Sequence, residues 1–165
     1  MSLGVHFALT KSDLAKVVAF DNPDELVEFI TEDLEERYLA KRTRSYQSDK
    51  AWDAIHRCLT DGRLLYESGP FPLAYAVLGG APQDAGDDYT ACLVQPEQVN
   101  KASAALNKIT EAWMRRRYAT LRKTDYRAQM SDQDFEYTWE NFVGLRAFFA
   151  KAAEAGRAVL FTTDA

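Results

Sequence analysis

One histidine stands in a setting where an imidazole does proton chemistry. In the stretch SYQSDKAWDAIHRCLTDG, residues 45–62, His56 follows Asp53 by three positions and Asp49 by seven. Residues three apart on a helix are neighbours, so the Asp53 carboxylate is within reach of the ring. A carboxylate there would orient the imidazole and raise its proton affinity, as general acid/base work requires. Arg57, Arg63 or Glu67 would stand near the substrate, and Trp52 shares the helix face with His56. The competing reading is architectural. Trp52, Ile55, His56 and Leu59 share one helix face, which packs the ring inward beside Trp52 with a nitrogen bonded to a carboxylate or carbonyl.

The elements that must position His56 are legible in outline. GVHFALT alternates apolar and polar residues as a half-buried strand does, and carries the second histidine, His6. Thr10 to Asp13 has capping-box spacing and opens a short helix through Val17. Asn22 as cap and Pro23 at the first helical position start the next helix, with Leu26, Phe29, Ile30, Leu34 and Tyr38 turned inward. KRTRSYQ reads as polar and irregular. The helix over 50–60 follows, with Asp49 as its expected N-cap and Asp61-Gly62 as its end. GPFPLAYAVLGG is expected as a short buried helix stopped by Gly79-Gly80, and DYTACLVQ as a strand. Pro96, Thr110 and Ser131 open three further helices, the last aromatic-rich, and RAVLFTT closes the chain as a strand. These elements predict one α+β domain, mostly helical, with a small sheet of about three strands.

Other constellations are weaker. No serine or cysteine sits in a G-x-S-x-G setting. Cys58 and Cys92 have no metal-ligand spacing and read as buried small hydrophobes in a reducing, cytoplasmic setting. In LGGAPQDAGDD the glycines follow a helix and precede a strand, the wrong order for a phosphate cradle. Asp84, Asp87 and Asp88 lack the EF-hand pattern. Neither a metal nor a cofactor is expected. MSLGVHFALTKSD has no signal-peptide pattern, and the longest uncharged run, 68–83, is too short to span a bilayer.

Charge is unevenly placed. The net charge is -5, yet 108–127 holds seven basic and two acidic residues, with Tyr118 and Tyr126 among them. Residues 1–40 hold three basic and nine acidic residues. The two segments complement each other within one molecule or across a protein partner; an acidic chain argues against nucleic acid.

SDKAWDAIHRCLTDG, then PLAYAVLGG, QPEQVNKASAALNKIT and AEAGRAVLFTT, in this order, resemble the bacterial YfbM-like family, a domain of unknown function. The resemblance runs over nearly the whole chain and implies a single cytoplasmic α+β domain. It implies no activity, substrate or catalytic residue. The residues themselves favour a non-catalytic protein-interaction or ligand-binding module. The alternative is a small enzyme using His56 as general acid/base with Asp49 or Asp53, and Trp52, Arg57 and Glu67 at the ligand.

Overall fold

The computed structural model describes residues 2–164. Five strands make one antiparallel sheet: β1 (Gly4–Leu9), β2 (Ser45–Asp49), β3 (Ala81–Pro82), β4 (Tyr89–Val94) and β5 (Ala158–Asp164). Their spatial order is β2-β1-β5-β4-β3. The sheet is larger than the three strands expected. β2 falls in the segment read as irregular, because an edge strand is held by backbone pairing and needs no apolar alternation. β3 is only two residues long.

Helices cover both faces of the sheet. α1 (Lys11–Ala19), α2 (Pro23–Glu28) and α3 (Glu35–Tyr38) lie on one side. There Val17, Leu26, Ile30, Leu34 and Tyr38 pack against Phe7, Leu9, Leu93 and Leu160. α4 (Ala51–Leu59), α5 (Pro96–Leu106), α6 (Glu111–Ala119) and α7 (Asp132–Glu154) lie on the other. Their partners from the strands are Ala8, Cys92, Val94, Val159 and Phe161. Burial on both faces explains why β5 reads as a nearly continuous apolar run.

Four of the predicted caps form. Thr10, Thr110 and Ser131 each accept a backbone N–H three residues on, and Asn22 accepts that of Asp24. Between α2 and α3 the helix widens into a π-helical stretch, Phe29–Leu34, where the Glu35 N–H bonds to the Ile30 carbonyl. The spacing of Leu26, Ile30, Leu34 and Tyr38 demands it. Each step of four residues overshoots a full α-turn by about 40°, so three steps would carry the stripe about 120° off the sheet. A π-turn takes up the excess residue and keeps all four on the core.

The segment expected as a buried helix before Gly79 forms only a 3₁₀ turn, Leu73–Ala76. The turn stops because Val77 leaves helical backbone geometry and the Leu78 amide donates to His56 Nδ1 instead of back along the chain. Gly79 and Gly80 are required by space. A Cβ on Gly80 would lie 2.7 Å from the Leu93 carbonyl oxygen, and one on Gly79 would collide with the backbone of Ala74.

Candidate binding site

All nine residues of α4 are buried, His56 at 1% exposure. The Leu78 amide donates to His56 Nδ1 at 3.4 Å, so the ring proton sits on Nε2, which has no partner. Burial lowers the His56 pKa to about 4, against weaker opposing effects of the Leu65 carbonyl and Asp61.

Asp53 does not orient this ring. Arg57, four positions on, donates from Nε to Asp53 Oδ1 at 2.6 Å. Its guanidinium also reaches the Gly62 carbonyl at 3.0 Å and Asp125 Oδ1 at 2.5 Å. A permanent cation competes for the carboxylate better than a neutral imidazole does, and its longer stem turns the corner of the helix end. Arg57 is thus a buried tie between α4 and two loops.

Asp49 is not the N-cap. It ends β2 with a φ of 50°, and Lys50 occupies the cap position without a side-chain bond. Asp49 Oδ2 instead accepts the Tyr137 hydroxyl at 2.5 Å, and that hydroxyl oxygen accepts the Lys50 N–H at 3.1 Å. Trp52 donates from its indole to the Ser2 carbonyl at 3.0 Å and packs on Phe161. Glu67 is exposed on a loop, and Arg63 pairs with Asp61 at the surface. The predicted site residues therefore do not converge.

His6 is also enclosed; its Nε2 donates to the Ala76 carbonyl at 2.7 Å and its Nδ1 has no partner. Burial lowers its pKa to about 4. The two histidines hold one segment from opposite sides, at the Ala76 carbonyl and the Leu78 amide. Burial pushes the Cys58 and Cys92 thiols up to about 12, which keeps both protonated and inert. Among the described residues no group of three His, Cys, Asp or Glu could hold a metal ion, and no helix is long and apolar enough to cross a membrane.

The basic segment is partly structural. Arg117 donates to the Cys58 carbonyl at 3.1 Å and to that of Thr60, capping the end of α4. Arg115 lies 4.1 Å from the centroid of the Phe135 ring. Tyr118 and Tyr126 turn inward, both donating to Asp134 Oδ2. The acidic helices α2 and α3 cover the opposite face of the sheet, and no ion pair joins the two segments among the described residues. They do not neutralise each other within the molecule.

The concave site lies elsewhere, where one end of the sheet meets the π-helical stretch. It is a cavity of about 560 Å³ with Leu3, Val5 and Leu39 as apolar walls. Thr31 and Glu35 enter from the widened helix, Gln47 and Asp49 from β2, Tyr89 from β4, and Thr162 and Asp164 from β5. Strand register brings them together: Val5 stands opposite Thr162, and Tyr89 opposite Asp164. Burial first, and the Asp164 charge second, raise the pKa of Glu35. Burial likewise raises that of Tyr89, opposed by the nearby Thr162 side chain and aided by the charges of Glu35 and Asp164. Of the residues expected at a site, Asp49 alone lines this cavity. A second cavity of about 360 Å³ shares Asp49; there Tyr137 is bonded to Asp49 and Tyr126 to Asp134, and Lys50 also lines it.

Sequence reasoning missed this cavity because its walls come from residues 3–5, 31–39, 47–49, 89 and 162–164. One signal was present, the unbroken four-residue spacing from Leu26 to Tyr38. It announces a π-turn, a feature frequent at functional sites.

The family model for the domain of unknown function DUF1877 matches residues 1–162. No curated protein matches the chain. A solved structure described as a protein of unknown function, YfbM from Escherichia coli, is similar over 99% of this chain and 99% of its own, with a TM-score of 0.69 and 18% identity. At that identity the likeness is one of fold. With 162 of its 165 residues matched, the chain belongs to the DUF1877, YfbM-like family.

Proposed function

We propose that this chain is a non-catalytic ligand-binding module, and that its site is the cavity at the end of the sheet. The observation that carries this reading is the composition of that cavity: three apolar side chains beside seven polar ones that converge from the helix and three strands, opening beside a π-turn. No histidine, cysteine, serine or basic side chain lines it. The alternative enzyme built on His56 has less support. Its imidazole is enclosed, its expected partner Asp53 is held by Arg57, and neither Trp52 nor Glu67 lines the cavity.

The test uses an apolar probe and a cavity-filling substitution. Thr31 is exposed on the helix at the cavity wall, so Thr31→Trp fills the space with little effect on folding. Titrated with 1-hexanol in a calorimeter, the wild type binds and T31W binds at least tenfold more weakly. Equal binding by the two proteins would refute the proposal.

A further inference from the structure

We propose that the cavity takes a hydrophobic organic cation, an ammonium or guanidinium head on an apolar body, with the head at Glu35 and Asp164. The inference rests on the cavity being the ligand site, and adds the chemistry of what enters it.

Three observations carry it. First, the wall holds three carboxylates, Glu35, Asp49 and Asp164, and no lysine, arginine or histidine. Asp49 already accepts the Tyr137 hydroxyl. Glu35 and Asp164 form no ion pair among the described residues. Second, those two carboxylates line one cavity, Glu35 from the first residue of α3 and Asp164 from the last residue of β5. Third, Leu3, Val5 and Leu39 give the wall an apolar part, and its other side chains, Thr31, Gln47, Tyr89 and Thr162, are uncharged.

Electrostatics then sorts the occupants. An anion would meet like charge. A neutral apolar molecule would strip water from Glu35 without replacing its hydrogen bonds, a cost that opposes binding. A bare metal ion finds no group of three ligands among the described residues. An organic cation answers both parts of the wall. Its N–H groups make charge-assisted bonds to the carboxylates, and its carbon chain covers the apolar part. Its positive charge also relieves the repulsion between Glu35 and Asp164.

The test compares three probes with the same six-carbon body at neutral pH: hexylamine as its ammonium, 1-hexanol and hexanoate. Isothermal titration of the intact chain is expected to show hexylamine binding at least tenfold tighter than 1-hexanol, and hexanoate weakest. Glu35→Gln and Asp164→Asn should each weaken hexylamine about tenfold without weakening 1-hexanol. Asp164 is exposed at the end of β5, so D164N tests the point even where E35Q perturbs folding. Equal affinity for hexylamine and 1-hexanol, or a preference for hexanoate, would overturn the cation assignment and leave the cavity standing as a site. Loss of both hexylamine and 1-hexanol binding in the two variants would also overturn it. Failure of all three probes on the wild type would overturn the cavity reading and this inference together.

Discussion

Between pH 8 and pH 4.5 the folded protein is expected to lose about 5 kcal/mol of stability through His6 and His56 alone. Both imidazoles have folded pKa values of about 4, against an ordinary value of 6.5. The unfolded chain therefore binds more protons than the native state throughout this window. Their contribution is fully present above pH 6.5, falls away as pH drops towards 4, and changes little below that. The geometry gives the reason. A second proton on His6 would put an N–H on Nδ1, which is buried with no partner. A second proton on His56 would land on Nδ1, the atom that accepts the Leu78 amide. Acid thus breaks the His56 bond to the Leu78 amide, and at His6 it buries a charge and an unpartnered N–H beside the Ala76 bond that remains. Glu35 and Asp53, whose pKa values burial raises, act in the opposite sense and temper the fall. Urea denaturation at pH 8 and 4.5 measures the loss, and the double substitution His6→Phe, His56→Phe should flatten it. A wild-type profile flat over this range would contradict the two-histidine account.

Arg57→Ala is expected to destabilise the fold by about 3–5 kcal/mol, the range for removing one partner of a buried pair. Arg57 and Asp53 side chains are 4% and 11% exposed, so truncating the cation leaves a carboxylate in a poorly solvated place. The Gly62 carbonyl and the tether to Asp125 are lost at the same time. Arg57→Met combined with Asp53→Leu should recover most of the loss, because it removes the stranded charge and restores apolar packing. Were Arg57 instead a substrate-binding residue in a loose pocket, R57A would leave the denaturation midpoint near that of the wild type.

Local order was written plainly in the chain. Caps at Thr10, Asn22, Thr110 and Ser131 are decided within three residues, β1 and β4 follow from alternation, and β5 from its apolar run. Choices between competing partners were not. Asp53 has His56 at i+3 and Arg57 at i+4, and sequence spacing allows both; the charge and reach of the guanidinium decide it. β2 was illegible because its partner, β1, lies some 40 positions away, as in Val5 opposite Gln47. The glycines at 79 and 80 were correctly placed at the end of an element. Their cause, the carbonyls of Ala74 and Leu93 pressed against them, is tertiary. The cavity is the extreme case, assembled from segments that span the whole chain.

The central claim is that ligand meets this protein at the end of the sheet and not at α4. Its most direct measurement is a map of amide chemical shifts in ¹⁵N-labelled protein titrated with hexylamine at neutral pH. The account predicts shifts concentrated at Val5, Thr31, Gln47, Tyr89 and Thr162, with the amides of His56, Arg57 and Leu78 unmoved. Shifts centred on His56 and Leu78, with the cavity residues silent, would contradict it.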